Sequence, residues 1–138
     1  MTRTLPDADR LAERELTGTV IECFYRVYES LGFGFLEAVY RRALAVELRE
    51  RNLAVLLEAP IDVMYKGCRV GSYRLDLLVE GRIAVEVKAT EVLAPTAKRQ
   101  LLNYLRATAL DVGLLLHFGP DAKFHRAASP RLLAHDRR

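Results

Sequence analysis

Three charged residues, Asp76, Glu86 and Lys88, stand within apolar stretches that are predicted to form β-strands. Successive side chains of a strand point to opposite faces of the sheet. In the stretch 83–88, Glu86 and Lys88 fall on one side of the predicted strand and three apolar residues fall on the other. Asp76 repeats this anomaly in the preceding stretch, where leucines surround it. Burying such charges is costly unless they are paired or bound to a metal. The three side chains therefore mark a candidate site, and the end of a strand is where α/β sheets bind ligands.

A turn at Glu80-Gly81 predicts that the strands carrying Asp76 and Glu86 form a hairpin. Both residues lie about equally far from the turn, so the register brings their carboxylates together. Two close like charges repel strongly at low dielectric, and a divalent cation is the common remedy. A ligand set made only of oxygens favours Mg²⁺ or Mn²⁺ over zinc.

Lys88 projects beside Glu86, where its ammonium could orient an attacking water or stabilise charge on a scissile phosphate. The alternative is a salt-bridge cluster of Asp76, Glu86 and Lys88 on a solvated sheet face. The apolar neighbours of this strand argue against full exposure, so the sequence favours the metal site.

The spacing of apolar residues predicts the elements that position these side chains. Helices are predicted over residues 9–31, 35–51 and from Pro95 to about 110, with Gly32 ending the first helix. Strands are predicted over residues 53–58, 61–65, 70–79, 82–88 and 112–118, with a short edge strand after Ala122. Pro60 divides the first two strands, and Lys66-Gly67 forms a hairpin turn between the second and third.

Because a helix connects the strands 82–88 and 112–118, we expect these two strands to be parallel. The predicted fold class is therefore α/β, with a mixed β-sheet flanked by α-helices. At 138 residues the chain suits a single domain. We predict a flexible leader over residues 1–8, the domain over 9–128 and a basic tail over 129–138.

Composition limits the compartment and the partners only weakly. The net charge of +3 and the pI near 9.0 are compatible with a polyanionic partner without requiring one. No apolar run approaches the ~20 residues of a membrane span, and the polar N-terminus lacks the apolar stretch of a secretory signal. A cytoplasmic protein with no membrane partner is therefore expected. Cys23 and Cys68 lack any disulfide or metal spacing and are expected to be buried, reduced thiols.

The Asp76…Glu86-x-Lys88 arrangement resembles the PD-(D/E)XK nuclease superfamily, although Leu75 stands where the superfamily name has proline. Residues 34–40, GFLEAVY, match the motif that names the GxxExxY proteins, a small prokaryotic family within that superfamily. The resemblance continues through YKG at 65–67, DLLVE at 76–80, VEVKA at 85–89, QLLNYL at 100–105 and GLLL at 113–116. It covers roughly residues 14–120.

This resemblance implies a restriction-endonuclease-like core with a catalytic set of Asp76, Glu86, Lys88 and Glu37. Asp76 and Glu86 would ligate Mg²⁺ or Mn²⁺, the Val87 carbonyl would be a third ligand, and Lys88 would act on the attacking water. Glu37 would match the helix carboxylate that many members add to the metal site. The residues themselves leave open a simpler role for Glu37, an i,i+4 pair with the residue one turn later.

The resemblance also implies residues that bind the substrate. Gln100 and Tyr104 match a Gln-x-x-x-Tyr element, in which the amide could hold a phosphate oxygen or the lysine and the ring could stack. A polar helix face explains both residues nearly as well. Tyr40, which shares a helix face with Gly34 and Glu37, and Arg41 complete the predicted substrate contacts. Phosphate contacts could come from Arg41 and from four further basic residues, each of which could equally be a solvated surface charge. The four are Arg42, Lys98, Arg99 and Arg106.

The leading hypothesis from the sequence is a Mg²⁺- or Mn²⁺-dependent nuclease, which hydrolyses DNA or RNA with a metal-activated water. The alternative is a catalytically silent module that kept the fold and binds nucleic acid or a protein partner. A homodimer whose second subunit completes the substrate groove is compatible with either hypothesis. The intact carboxylates and lysine favour the enzyme.

Overall fold

The structure is a computed structural model that describes residues 7–131. Its elements follow in the order α1 (Asp7–Leu31), α2 (Glu37–Glu50), β1 (Val55–Tyr65), β2 (Cys68–Val79), β3 (Ile83–Lys88), α3 (Thr96–Ala107), β4 (Val112–Phe118) and β5 (Ala122–Ala128). The strands form one sheet in the order β1-β2-β3-β4-β5. Strands β3 and β4 are parallel and the other neighbours are antiparallel, so the predicted mixed sheet and its parallel crossover are confirmed.

Helices cover both faces of the sheet and divide the core in two. On one face, α1 and α2 bury apolar residues against the strands, among them Phe24 and Leu44 against Leu77. On the other face, α3 packs Leu101 and Leu105 over the sheet. All seven residues of β4 are buried, as expected for a strand with helices on both sides. In residues 7–131, no helix is long and apolar enough to cross a membrane.

Glycine and tight turns end the elements where the sequence indicates. Gly32 has φ +68° and its N–H donates to the Tyr28 carbonyl at 2.8 Å, which terminates α1. Lys66 and Gly67 both have positive φ in the loop between β1 and β2, the conformation that a two-residue hairpin turn requires.

The predicted division of the first strand at Pro60 is wrong. Strand β1 runs through Pro60, which lies opposite Arg74 in the antiparallel register. Because β1 is at the edge of the sheet, one of its sides has no neighbouring strand, and there a missing N–H removes no ladder hydrogen bond.

The hairpin is irregular two residues earlier, at Glu58, which has φ +52°, and its register shifts again between Val63 and Met64. Leu57 and Leu77 are cross-strand partners, and both pack with the core under α1 and α2. Ala59 and Leu75 form the next ladder pair and pack instead under α3. Between these two pairs, at Glu58 and Asp76, the hairpin therefore changes the face of the sheet to which its core residues point.

At its two described ends the chain begins with a helix and continues past the last strand. Helix α1 begins at Asp7, and the chain remains attached beyond residue 128, because the buried Ser129 donates its N–H to the Asp111 carbonyl at 2.7 Å. Arg131 donates to three carbonyl oxygens, of Leu105, Thr108 and Leu110. Residues 1–6 of the predicted leader and 132–138 of the predicted tail lie outside the described residues.

The two cysteines occupy different environments. Cys23 lies on α1 and is buried in the core, as predicted. Cys68 is exposed where β2 begins, so the prediction of a buried thiol is wrong there. The two residues that follow it on β2, Arg69 and Val70, are exposed as well.

Candidate active site

The candidate site begins where the backbone ladder between β2 and β3 stops. Its last pair is Leu77 with Val85, and the next positions in the same register are Asp76 and Glu86. Side chains bridge the strands there: the Asp76 N–H donates to Glu86 Oε1 at 3.0 Å, and the Val87 N–H donates to Asp76 Oδ2 at 2.8 Å. The predicted proximity of the two carboxylates is confirmed, and each one is held by the backbone of the opposite strand.

Arg41 on α2 reaches the sheet and pairs with Asp76. Its Nη1 lies 3.1 Å from Asp76 Oδ1, and its Nη2 lies 3.9 Å from Glu58 Oε1. Both carboxylate oxygens of Asp76 are thus engaged. Among the described residues, no salt bridge joins Arg41 to Glu37, so the i,i+4 pair that the sequence left open does not form.

Burial and like charge raise the pKa values of two carboxyls in the site. Burial, and then the charge of Asp76, raise the pKa of Glu86 to about 8, against the hydrogen bond from the Asp76 backbone and the charge of Lys88. Glu37, at the start of α2, also has a raised pKa, because of burial and then Asp76, with Lys88 and Arg41 acting in the opposite direction. These side chains share one electrostatic environment that is short of positive charge.

Lys88 is the last residue of β3 and lies opposite His117 of β4 in the parallel register. Its charge acts to lower the pKa of both Glu86 and Glu37. Hydrogen bonds thus join Asp76 to Glu86 and to the backbone of Val87, whereas Glu37 and Lys88 are linked to them by electrostatic interaction alone.

The donor set of the site suits a hard divalent cation, because it consists of carboxylates and a backbone carbonyl. The buried Glu86 carries only one hydrogen bond from the described residues, so its other oxygen is left for a ligand. Within residues 7–131, however, no three His, Cys, Asp or Glu side chains converge closely enough to hold a metal. The guanidinium of Arg41 lies at Asp76 Oδ1, and a cation bound by that oxygen would have to displace it.

Tyr104 and Gln100, predicted to bind substrate, lie on α3 next to this cluster. Tyr104 is largely buried, with its ring centroid 5.7 Å from that of Tyr73 on β2. Burial, and then the charges of Glu86 and Asp76, raise the pKa of Tyr104 to about 12. Gln100, one turn earlier, lines a cavity together with Tyr104.

Tyr40, also predicted to bind substrate, is fully buried instead. Its hydroxyl donates to the Gly32 carbonyl and accepts the Phe35 N–H at 3.2 Å, and its ring stacks on Phe118 at 4.3 Å. With no surface left for a substrate, Tyr40 holds the loop that leads into α2 and so positions Glu37. The spacing of three residues from Glu37, which suggested that Tyr40 faces the site, instead places Tyr40 in the core.

Two residues of the site region escaped the sequence analysis. Glu58 approaches Arg41 at the position where β1 and β2 exchange their core-facing sides. Its positive φ could not be predicted, because a glutamate rarely adopts this conformation. Tyr73 meets Tyr104 across the gap between hairpin and helix. Its position three residues before Asp76 is visible in the sequence, but the contact depends on where α3 docks.

Comparisons with known proteins bear on the family and the fold of the chain. A model of the PD-(D/E)XK nuclease superfamily matches residues 14–127 of the chain. Among solved structures, the crystal structure of a protein named SSO0001 is similar, with a TM-score of 0.52, 19% sequence identity, and coverage of 68% of this chain and 50% of that one. At this identity the likeness concerns the fold alone, and the chain spans about half the length of that protein. No curated protein matches the chain. The predicted nuclease-like α/β fold is confirmed.

Proposed function

The chain belongs to the PD-(D/E)XK nuclease superfamily, and we propose on that premise that it hydrolyses phosphodiester bonds of DNA or RNA with Mg²⁺ or Mn²⁺. The observation that carries the proposal is the bridged pair of Asp76 and Glu86 at the open end of the β2–β3 ladder, with Lys88 and Glu37 in the same electrostatic cluster. The motif at residues 34–40 supports the finer proposal that this is a GxxExxY protein.

In this proposal the metal would be held by Asp76, Glu86, the Val87 carbonyl and Glu37. When bound, such an ion lowers the pKa of a coordinated water and polarises the phosphate. Lys88 holds the attacking water by hydrogen bonding and neutralises charge that develops on the phosphate oxygens. Arg41, once separated from Asp76, is a cation at the rim of the site that can contact a substrate phosphate.

A binding module without catalysis is the second candidate, and one observation favours it. The Arg41–Asp76 salt bridge gives Asp76 a cationic partner without any metal, and in the described part of the chain no ligand triad is preformed. Such a module would keep nucleic-acid affinity without cleaving. The cytoplasmic location and the homodimer stay predictions.

The deciding experiment is a cleavage assay on single- and double-stranded DNA and RNA with Mg²⁺ or Mn²⁺. We expect the wild type to cleave at least one substrate and Glu86→Ala to lose about a hundredfold or more of that rate, the scale of losing one element of transition-state stabilisation. Glu50→Ala, an exposed carboxylate at the end of α2, serves as the control and should cleave normally. Absence of cleavage by the wild type, or normal cleavage by Glu86→Ala, would contradict the proposal.

Calorimetry of Mn²⁺ binding tests the metal site separately from turnover. Asp76→Ala should bind Mn²⁺ far more weakly than the wild type, since it removes a ligand from an all-oxygen set. If the affinity is unchanged, Asp76 is not a ligand.

A further inference from the structure

A cavity of about 660 Å³ lies next to the candidate active site, between α3 and the outer half of the β1–β2 hairpin. This volume is within the range of pockets that hold small organic groups. The side chains that matter in its lining are of three kinds, namely aromatic rings, amides and guanidiniums. They are Tyr73, Tyr104, Gln100, Asn103, Arg99 and Arg106.

The two tyrosines give the cavity an aromatic wall. Tyr104 is 6% exposed and fixed in the core, whereas Tyr73 is 49% exposed on the hairpin. Their planes are inclined by 49°, so they do not stack face to face on each other. A half-exposed ring of this kind offers a flat face on which a planar, aromatic ligand can stack.

The amides add hydrogen-bonding capacity that the protein does not use. Gln100 and Asn103 are three residues apart on α3 and thus share a helix face. Neither side chain has a hydrogen-bond partner among the described residues. An amide presents both a donor and an acceptor, which is the pattern needed for the edge of a nucleobase.

The guanidiniums supply positive charge at the same cavity. Arg99 and Arg106 are exposed, and neither takes part in a salt bridge within residues 7–131. Guanidinium groups pair well with phosphate oxygens. Rings, free amides and unpaired cations together form the combination that recognises a nucleotide rather than an apolar ligand.

Tyr104 connects the cavity with the carboxylate cluster. It lines the cavity and packs in the same core cluster as Leu75, the residue before Asp76. Tyr73 of the cavity lining and Asp76 are three residues apart on β2, a distance of roughly 10 Å along a strand. A nucleotide whose phosphate occupies the candidate active site would therefore have this cavity within reach of its base or of the next base along the strand.

We propose that the cavity binds an unpaired nucleobase of the substrate strand, so that the protein acts on single-stranded or locally unpaired nucleic acid. This inference rests on the proposed function and specifies its substrate class. A base inside a duplex is stacked on both faces and paired at its edge, so it can enter only after it has been unstacked.

The test measures binding without cleavage, by fluorescence anisotropy in EDTA. The probes are a labelled oligothymidylate, an abasic deoxyribose-phosphate oligomer of equal length, and a blunt duplex. We expect the wild type to bind the oligothymidylate about 5- to 100-fold more tightly than the abasic oligomer, the scale of stacking one base on an aromatic ring. The duplex should bind more weakly than the oligothymidylate, and an oligouridylate tested in parallel distinguishes RNA from DNA.

Variants connect this preference to the cavity. Tyr73→Ala and Asn103→Ala should reduce the preference for bases over the abasic oligomer. Tyr65→Ala is the matched control, since Tyr65 is an exposed tyrosine on the same hairpin outside the cavity lining, and it should keep the preference. Equal binding of the two single-stranded probes by the wild type, or full preference in both cavity variants, would overturn the inference.

The outcome is separable from that of the proposed function. Base-dependent binding without any Glu86-dependent cleavage would support the cavity and contradict the nuclease. Glu86-dependent cleavage without base preference would do the opposite.

Discussion

At the scale of single residues, the candidate site is a cluster of carboxylates whose negative charge is reduced by protonation and by a salt bridge. Glu86 is buried and its pKa is raised to about 8, while Asp76 is neutralised by Arg41 and by a backbone N–H. A metal ion can replace both the proton on Glu86 and the guanidinium at Asp76. Two predictions follow from this balance.

The first concerns the pH dependence of folding stability in Glu86→Gln. Since the pKa of Glu86 is raised from 4.5 to about 8 in the folded state, the folded protein binds the extra proton between these values. The metal-free wild type should therefore lose stability as the pH rises through this window, and Glu86→Gln should lose less, because only the smaller contribution of Glu37 remains. Urea unfolding in EDTA at pH 5 and pH 9 measures it, with Glu50→Gln as control. A wild type and variant that differ equally at both pH values would refute the assignment.

The second concerns Arg41→Gln. This change removes a partly buried partner of Asp76, and we expect it to destabilise the metal-free protein by about 2 kcal/mol. Because the guanidinium no longer competes for Asp76 Oδ1, added Mn²⁺ should raise the melting temperature of the variant more than that of the wild type. Arg42→Gln, an exposed neighbour on α2, is the control. The competition is ruled out if Mn²⁺ shifts the wild type and Arg41→Gln equally.

At the scale of elements, the site depends on how closely α3 docks against the sheet. Helix α3 carries Gln100 and Tyr104, and its Leu101 lies over Gly113 of β4. A Cβ atom at Gly113 would stand 2.9 Å from Leu101 Cδ1. Because Gly113 has no side chain, α3 can pack closely against β4 at this position.

Gly113→Ala should accordingly destabilise the fold by about 1–3 kcal/mol, the cost of overpacking a core. Gly18→Ala provides the contrast, because Gly18 lies within α1 with nothing near its Cβ position. That change should stabilise the protein by about 0.5–1 kcal/mol through helix propensity. Thermal or urea unfolding of both variants measures the difference, and equal effects of the same sign would disprove this view of the packing.

At the scale of the whole molecule, apolar periodicity and turn residues predicted the order of the elements apart from the division of β1. They also predicted the parallel crossover and the register that joins Asp76 to Glu86. These features depend on local patterns and on turn residues. What escaped prediction depends on tertiary packing. The burial of Tyr40, the continuity of β1 through Pro60 and the salt bridge from Arg41 to Asp76 each require knowing which surfaces meet.

The identical order of the strands in the chain and in the sheet has a consequence for how the molecule folds. Neighbouring strands meet through short connections, except at the single crossover through α3, so most pairing is local and loop closure costs little entropy. Glu80 and Gly81 have φ +53° and +63°, and the Arg82 N–H closes their turn on the Val79 carbonyl at 2.9 Å. Asp76 and Glu86 flank this hairpin and can meet within microseconds, the time in which hairpins form. The approach of the two carboxylates therefore depends on a local turn and not on the docking of a distant element.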